Sequence, residues 1–310
     1  MIKPKELEFG DTLGLVAPAS FTSKEKIEKS IETVEKMGFK VKLGESIYQR
    51  YGYLSGKDEI RAKDINEMFK DPEVDGIICL RGGYGTPRIL DLIDYNIIKD
   101  NPKVFIGYSD ITALHIAFNQ ICKLVTFHGP MVSSDIIGNF HEFSKESLYK
   151  SIMNNREIGL IENPPGEEII KINTGVVEGT IIGGNLSLIA DTIGTQYEID
   201  TKRKILFIEE VGEEPYSIDR MLNQLRLSGK LKDAAGIILG DFRDCEPKGH
   251  YEDSLNLEEL IEDYIKPLNK PSIYNLQSGH CDPIITLPLG INTRLDGDSG
   301  EVYILENAVK

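Results

Sequence analysis

The sequence predicts an α/β protein whose N-terminal domain is built on a doubly wound, mostly parallel sheet and whose smaller C-terminal domain has mixed α/β structure. Three observations lead to this prediction. The first half alternates short apolar segments with amphipathic segments of helical period, a polar, proline-rich stretch interrupts that rhythm, and the elements after it are shorter. A length of 310 residues is also typical of two domains with adequate cores.

The N-terminal half has the pattern of strands that alternate with helices. Strands are predicted at 12–17, 39–43, 76–80 and 104–107, and the last two are continuously apolar runs of the kind buried on both faces of a parallel sheet. Helical spacing predicts helices after Ser23, after Ser55 and from about residue 110 to 121, and Gly38 is expected to end the first. This β-α-β-α order predicts a layered, doubly wound structure.

A domain boundary is expected at the segment Asn163-Pro164-Pro165-Gly166-Glu167-Glu168, which is polar and rich in proline. We therefore divide the chain into an N-terminal domain 1–160, a linker 161–172 and a C-terminal domain 173–310. In the last part, strands are predicted at 205–208, 235–239 and 301–305, and helices from Asn185, at 217–227 and at 255–264.

The composition excludes several classes of function. A net charge of −15 argues against nucleic acid or an anionic membrane as the main partner, because both require a basic surface. No apolar stretch reaches the roughly 18–20 residues of a membrane helix, and the start lacks a secretory apolar core, so we expect a cytoplasmic protein. The four cysteines are scattered without a CxxC pair, which predicts reduced, mostly buried thiols.

Ser109 is the first candidate catalytic residue. It follows the predicted strand 104–107 where a helix begins, so a tight turn would present its hydroxyl, and the N–H of Asp110 would stabilise an oxyanion. The Gly-x-Ser-x-Gly pattern of a nucleophile elbow is absent, because Ile111 stands where that pattern has glycine. On local sequence alone, the interpretation that Ser109 or Asp110 simply caps the helix is favoured.

A glycine-rich segment, Arg81-Gly82-Gly83-Tyr84-Gly85, follows the predicted strand 76–80. Its glycines allow the backbone to approach a ligand closely. The spacing matches neither the phosphate loop nor the GxGxxG dinucleotide motif, so phosphate binding is only weakly supported. An amide of an oxyanion hole and a plain tight turn both remain open.

An acidic cluster follows the predicted strand 205–208. Glu209 is the favoured member, because a carboxylate at the end of a strand can reach into a cleft. For the other members a solvated, charged loop is expected: Glu210, Glu213 and Glu214. Paired carboxylates for glycoside hydrolysis are conceivable, but no second positioned acid stands out.

Of the five histidines, His280 is the most suggestive, because it lies in a polar turn after an apolar segment. His128 is its competitor. His115 lies within the predicted helix after Ser109 and is expected to be structural, and two histidines are expected at the surface: His141 and His250. No HxxxH or HxH spacing and no Cys/His cluster is present, so no metal site is predicted.

In their order along the chain, these motifs resemble the LD-carboxypeptidases of serine peptidase family S66, a family that also includes the microcin-C immunity peptidases. The matching segments run almost from end to end and form a set far more specific than any single motif. They are Gly10-Asp11, Val16-Ala17-Pro18-Ala19-Ser20, Gly52-Tyr53-Leu54-Ser55-Gly56, Asp71-Pro72-Glu73-Val74-Asp75, Arg81-Gly82-Gly83-Tyr84-Gly85, Gly107-Tyr108-Ser109-Asp110, His128-Gly129-Pro130, Gly183-Gly184-Asn185-Leu186, Leu206-Phe207-Ile208-Glu209-Glu210, Gly279-His280 and Leu287-Pro288-Leu289-Gly290.

The resemblance implies a Ser-Glu-His triad with Ser109 as nucleophile, His280 as general base and Glu209 as the residue that orients the base. It also implies that the nucleophile comes from the N-terminal domain and the other two from the C-terminal domain. The backbone amides implied for the oxyanion hole are those of Gly83 and Asp110. Two positions depart from the family, which often has Asp at Glu210 and Gly at Cys281.

The resemblance further implies hydrolysis of the L,D peptide bond that releases terminal D-alanine from murein tetrapeptides, without a cofactor, by a homodimer. Arg81 and Tyr84 are the expected substrate contacts, and Arg81 or another cation of the cleft is expected to bind the free carboxylate. One rival is an immunity-type peptidase that hydrolyses aminoacyl-nucleotides, although the chain has no Trp for stacking a nucleobase. Another is a non-catalytic protein that binds a small ligand at the glycine-rich segment.

Overall fold

The computed structural model describes residues 1–138, 140–248 and 253–310. The first half of the chain forms a parallel sheet with helices packed against it. Its strands are β1 Thr12–Val16, β2 Lys40–Leu43, β3 Gly76–Cys79, β4 Val104–Gly107 and β5 Thr126–His128. Its helices are α1 Lys24–Lys36, α2 Asp58–Lys70, α3 Tyr95–Asp100, α4 Thr112–Ala117 and α5 Glu142–Ile152. The spatial order β5-β4-β3-β1-β2, parallel throughout, confirms the predicted doubly wound sheet.

Burial on both faces explains why β3 and β4 have continuously apolar sequences. Every residue of β3 and β4 is buried, as expected for strands covered by helices on both faces. The first predicted helix is confirmed: the Ser23 hydroxyl accepts a hydrogen bond from Lys26 N (3.3 Å) at its start, and Gly38 follows its end with φ +96°.

The helix predicted at 110–121 is regular only in its middle. A single 3₁₀ turn, Ser109–Ile111, leads into α4, and a wide π turn, Phe118–Cys122, follows it. Lys123, in the left-handed conformation with φ +57°, ends the segment. Helical spacing of apolar residues does not distinguish these three geometries, so the sequence predicted one helix.

The rest of the chain builds a mixed sheet of eight strands. They are β6 Gly159–Ile161, β7 Ile170–Asn173, β8 Val176–Asn185, β9 Ile205–Val211, β10 Gly236–Arg243, β11 Ser272–Tyr274, β13 Ile291–Asp296 and β14 Glu301–Ile304, in the order β6-β14-β13-β8-β9-β10-β11-β7. The four central strands, β8 to β11, are parallel, and the outer strands are antiparallel to their neighbours. The predicted mixed α/β structure is confirmed.

Among the described residues of this second half, the α-helices are α6 Leu186–Asp191, α7 Pro215–Leu227, α8 Lys230–Asp233 and α9 Leu257–Tyr264. The predicted helix 255–264 begins two residues late because Asn256 caps it. The Asn256 side chain accepts from Glu259 N (3.0 Å), and the Glu259 carboxylate accepts from Asn256 N (2.8 Å), which is a reciprocal capping box.

The chain passes between the two sheets more than once. β6 and β7, which meet the two ends of the predicted linker 161–172, both belong to the second sheet. A short late strand, β12 Leu287–Leu289, returns to the first sheet and pairs antiparallel with β5. One apolar cluster includes residues of both sheets, among them Ile106, Phe127, Phe207 and Ile238. The division into domains 1–160 and 173–310 therefore remains a prediction, and the two halves share a core.

The two halves also meet at α4. Asn185 N donates to the Thr112 hydroxyl (3.0 Å), and Gly184 lies so close to Thr112 that a Cβ there would contact its side chain. This contact brings the carboxyl ends of β4 and β9 to one face of the molecule. Ligands of parallel α/β sheets bind at such strand ends.

Candidate active site

Ser109 lies in a tight turn at the carboxyl end of β4. Its φ of +63° is in the left-handed region, which is uncommon for residues other than glycine. Gly82 lies against it, and a Cβ at Gly82 would be 3.0 Å from Ser109 Oγ. Ser109 is half-buried, and among the described residues its hydroxyl makes no hydrogen bond to another group. The turn therefore presents a hydroxyl that is accessible and unpaired.

The interpretation of Ser109 or Asp110 as a helix cap, which local sequence favoured, is wrong. Neither the 3₁₀ turn nor α4 receives a side-chain cap. The buried Asp110 carboxylate instead accepts from Thr86 N (2.8 Å), and the Thr86 hydroxyl donates to Asp110 O. Burial raises the pKa of Asp110, although the hydrogen bonds from Thr86 act in the opposite direction. Asp110 thus ties the turn of Ser109 to the end of the glycine-rich segment.

The glycine-rich segment is shaped by backbone conformations that only glycine adopts easily. Gly83 has φ +116°, and a Cβ there would collide with Ser20. Ser20 N donates to Gly82 O (3.4 Å), and the Ser20 hydroxyl accepts from Tyr84 N (3.2 Å). Within the described residues, the N–H groups of Gly83 and Asp110 donate no hydrogen bond, so both can serve a ligand.

Arg81 and Tyr84 lie on opposite sides of Gly83 in the chain and differ in exposure. Arg81 is half-buried, and its guanidinium donates to Gly82 O (3.3 Å) and to Phe21 O (3.4 Å). Tyr84 is 44% exposed, and its ring packs on Tyr53 with centroids 5.9 Å apart. Both side chains therefore lie on the loop that approaches Ser109.

Glu209 and His280 form a hydrogen-bonded pair between β9 and the loop after β11. His280 Nδ1 donates to Glu209 Oε2 (2.6 Å), and the Glu209 side chain is fully buried. Gly279, with φ +122°, permits this approach because a Cβ there would be 2.6 Å from Glu209 Oε2. The bond at Nδ1 fixes the tautomer and leaves Nε2 as the nitrogen that can exchange a proton.

The pKa of His280 is set by opposing effects. Burial lowers the pKa, whereas the charge of Glu209 and its hydrogen bond raise it, and the charges of Glu210 and Asp135 add to that rise. The net shift is upward from the ordinary value of 6.5. An imidazole of this kind binds a proton more tightly than an isolated histidine.

Tyr108 brings the two halves of the site together. It precedes Ser109 in the chain, and its ring contacts the His280 ring with centroids 4.8 Å apart in an edge-to-face arrangement. The hydroxyl of Ser109 and the imidazole do not hydrogen-bond to each other in the described residues. The structure therefore brings the serine turn against the base, with the pair Glu209–His280 already formed.

The other histidines do not take part in this arrangement. His128, the competitor, is fully buried, and neither of its ring nitrogens has a partner among the described residues. His115 is structural as predicted, since its Nε2 donates to Gly107 O (2.8 Å) and burial lowers its pKa to about 4. His141 accepts from Phe143 N (3.2 Å) at the exposed start of α5. His250 lies outside the described residues.

The prediction of a solvated loop is wrong for Glu210. This residue is 2% exposed and belongs to β9, which continues three residues beyond the predicted strand. Its carboxylate accepts from the Asn185 amide (2.9 Å), from Ser187 N (2.8 Å) and hydroxyl (2.7 Å), and from Val211 N (2.8 Å). Glu210 therefore fastens the end of β9 to the start of α6.

Within the described ranges, the other residues of the acidic cluster and the cysteines make no contact that the site requires. Glu213 and Glu214 follow β9 and are half-buried. All four cysteines are buried and free, as predicted. In the described part of the chain, no three His, Cys, Asp or Glu side chains are grouped so that they could hold a metal ion.

Two acids near the base were missed by the sequence analysis. Asp135 accepts from the Tyr108 hydroxyl (2.9 Å), and no motif marked it. Asp241, at the end of β10, has a buried oxygen without a hydrogen-bond partner among the described residues, and burial raises its pKa. In the sequence, the available signal for Asp241 was its position just after the predicted strand 235–239. In the structure, that strand pairs with β9, which carries Glu209.

Family models match both halves of the chain. The model of the LD-carboxypeptidase N-terminal domain matches residues 13–129, and that of the LD-carboxypeptidase C-terminal domain matches residues 178–295. The chain belongs to the LD-carboxypeptidase family, peptidase family S66.

One relative, described as a probable murein peptide carboxypeptidase of Bacillus subtilis (strain 168), is 46% identical, covering 95% of this chain and 91% of its own. A solved muramoyltetrapeptide carboxypeptidase from Oxalobacter formigenes has a TM-score of 0.82 and 27% identity, with 96% and 98% of the two chains covered. The microcin C7 self-immunity protein MccF, solved with aspartyl sulfamoyl adenosine, has a TM-score of 0.90 at 25% identity over 100% of both chains.

Proposed function

We propose that this protein is a serine carboxypeptidase that hydrolyses the L,D peptide bond of murein tetrapeptides and releases the terminal D-alanine. The observation that carries the proposal is the Glu209–His280 hydrogen-bonded pair at 2.6 Å, which packs through Tyr108 against the turn of Ser109. An accessible alcohol beside an oriented imidazole is the arrangement that nucleophilic acyl transfer requires.

In the proposed mechanism, His280 Nε2 takes the proton of the Ser109 hydroxyl as its oxygen attacks the scissile carbonyl carbon. Glu209 holds the imidazole through Nδ1 and stabilises the imidazolium that forms. The imidazolium then gives its proton to the leaving nitrogen of D-alanine, and an acyl-enzyme on Ser109 remains. Water, deprotonated by His280, hydrolyses this ester and restores the serine.

The oxyanion is proposed to bind the backbone N–H groups of Gly83 and Asp110. Both groups lack a hydrogen-bond partner in the described residues, and both belong to segments that contact or contain Ser109. Donors placed at an oxyanion contribute on the order of 3 kcal/mol each to lowering the barrier. The positive φ of Gly83 would direct its N–H, which a residue with a Cβ could not do without displacing Ser20.

Recognition of the substrate is proposed to involve Arg81 and Tyr84. Arg81 is half-buried and directly precedes Gly82, which lies against Ser109, and its guanidinium suits the free carboxylate of the terminal D-alanine. The names of the relatives, which refer to murein peptide and muramoyltetrapeptide carboxypeptidases, support the choice of substrate. A tetrapeptide whose terminal carboxylate is amidated is therefore expected to resist hydrolysis, and equal turnover of both peptides would exclude this role of Arg81.

The direct test is incubation with a murein tetrapeptide followed by mass spectrometry of the products. We expect a tripeptide and free D-alanine from the wild-type protein and no release from Ser109→Ala. Release by both proteins would show that another group performs the reaction. No release by the wild type would remove the proposal.

A second candidate is hydrolysis of aminoacyl-nucleotides, favoured by the structural similarity to MccF in its aspartyl sulfamoyl adenosine complex. This chain has no tryptophan that could stack a nucleobase, which favours the carboxypeptidase. Incubation with an aminoacyl-sulfamoyl adenosine distinguishes the two, since only the second function would release the amino acid. A protein that binds a small ligand without catalysis would turn over neither compound.

The cellular setting is also a proposal. None of the described helices combines the length and the apolar character that crossing a membrane requires. We propose a cytoplasmic homodimer, as the family resemblance implied. Light scattering during size-exclusion chromatography tests the dimer, and fractionation of the cell tests the location.

A further inference from the structure

The ring of Tyr108, the residue before Ser109, contacts two histidines. The residue is 5% exposed, and its ring meets the His280 imidazole edge to face at 66°, with centroids 4.8 Å apart. It also contacts His128, with centroids 5.8 Å apart. Because the backbone of Tyr108 leads directly into Ser109, one residue of the first sheet supports both the nucleophile turn and the ring of the base.

The hydroxyl of Tyr108 is anchored by Asp135. It donates to Asp135 Oδ1 (2.9 Å), and the second carboxylate oxygen accepts from Met131 N (2.8 Å). Asp135 is therefore fixed by both oxygens. A phenol held at its hydroxyl end cannot tilt away from the imidazole without breaking this bond.

We propose that Asp135 and Tyr108 are positioning residues for His280: Asp135 fixes the phenol, and the phenol holds the imidazole in the orientation that Glu209 sets through Nδ1. The imidazole then has two supports, a hydrogen bond from the second sheet and a ring contact from the first. This inference rests on the proposed function, and it assigns no contact with substrate to either residue.

Asp135 also acts on His280 through its charge. Its carboxylate is one of the groups that raise the pKa of His280, after Glu209 and Glu210, while burial acts in the opposite direction. Other titratable groups around the imidazole belong to several elements: Tyr108, His128, Asp241, Cys281 and Asp282. Replacing Asp135 by Asn removes one negative charge, so the pKa of His280 is expected to fall.

The first test is an NMR titration of His280 in the wild type and in Asp135→Asn, without substrate. His280→Gln assigns the signal among the five histidines. We expect the His280 signal of the variant to titrate at lower pH than in the wild type, and coincident titrations would overturn the electrostatic part of the proposal. Because no substrate is used, this result is independent of whether the wild type releases D-alanine.

The second test uses Tyr108→Phe, which keeps the ring but removes the hydroxyl. We expect kcat on the tetrapeptide to fall on the order of tenfold with KM within twofold, because a displaced base misaligns the proton transfer. Tyr197→Phe is the matched control: it removes a hydrogen bond of the same kind, from Tyr197 to Asp91 Oδ1 (2.7 Å), away from the site.

The positioning role is overturned if Tyr108→Phe and Tyr197→Phe have the same kcat. It is also overturned if the loss in Tyr108→Phe merely follows the fraction of unfolded protein measured by urea denaturation. A wild type that does not cleave the tetrapeptide would instead contradict the proposed function, while the titration of His280 would still decide whether the charge of Asp135 acts on His280.

Discussion

The serine side of the site, with the proposed nucleophile Ser109, and the base side, with the proposed base His280, are positioned by different means. Ser109 depends on backbone shape, since it adopts a φ of +63° and has Gly82 packed against it, and its hydroxyl has no partner in the described residues. His280 depends on side-chain contacts, namely the hydrogen bond of Glu209 and the ring of Tyr108. We infer that the serine side is sensitive to added volume, whereas the base side is sensitive to charge.

The largest effect is expected when either reacting group is removed. Ser109→Ala and His280→Ala should each lower the rate of D-alanine release by roughly 10³–10⁶, and the double variant should lose little more, because the groups act in one step. Single-turnover kinetics of the three variants provide the measurement. If the rate loss of the double variant equalled the product of the two single losses, Ser109 and His280 would act independently. That result would contradict a reaction in which both act in one step.

The charge of the base side is tested by Glu209→Gln. We expect kcat to fall by about 10⁴, because an amide can hold the wrong tautomer of the imidazole. The base must be neutral, so the raised pKa of His280 places the acid limb of the pH–rate profile above the ordinary value of 6.5, and this limb should move to lower pH in the variant. A limb that stays in place would assign it to another group.

The Glu209–His280 pair also makes the free energy of unfolding depend on pH. Because the folded protein raises the pKa of His280, the pair stabilises the fold fully below the pKa of an unfolded histidine, and this contribution is lost as the pH rises through the raised value. Urea denaturation across that range should show wild type and Glu209→Gln converging at high pH.

The shape of the serine side is tested by Gly83→Ala, for which we expect a loss in kcat of about 10²–10³, as for removal of one oxyanion donor. The new Cβ would collide with Ser20 and displace the N–H. Gly10→Ala is the matched control, because Gly10 also has a positive φ, +98°, but no atom lies within 4 Å of an added Cβ. Equal kinetics of the two variants would remove Gly83 from the mechanism.

The smallest effect on the reaction is expected at Glu210, although it is adjacent to Glu209. Glu210→Ala leaves buried donors of Asn185 and Ser187 without an acceptor, so the free energy of unfolding should fall by about 3 kcal/mol. Above the acid limb, kcat of the folded protein should change only a few-fold. Glu213→Ala is the control, expected to stay within about 0.5 kcal/mol. A loss of activity without a loss of stability would contradict the structural role of Glu210.

Much of the fold was predictable because the spacing of apolar residues can be recognised within short segments of the sequence. The parallel first sheet and the mixed second half followed from runs and spacings within short windows of sequence. The return of β12 to the first sheet did not, since three residues with a central proline carry no strand pattern. Proline is tolerated there because β12 is an edge strand.

The site was less predictable from local sequence, for physical reasons that differ between residues. A serine gives no sign that its φ will be positive, so the turn of Ser109 was read as a cap. The burial of Glu210 depends on donors from Asn185 and Ser187, which lie 25 and 23 residues earlier in the chain. Local sequence singled out Glu209 and His280 separately, but their pairing came only from the family resemblance, because their hydrogen bond joins residues 71 apart.

The most direct test of the central claim is a crystal structure of the protein with a tetrapeptide analogue that carries a boronic acid in place of the scissile carbonyl. The account predicts a covalent bond from Ser109 Oγ to boron and a boronate oxygen within about 2.7–3.1 Å of the N–H groups of Gly83 and Asp110. A boronate bonded to a different residue, or held without a bond to Ser109, would contradict it.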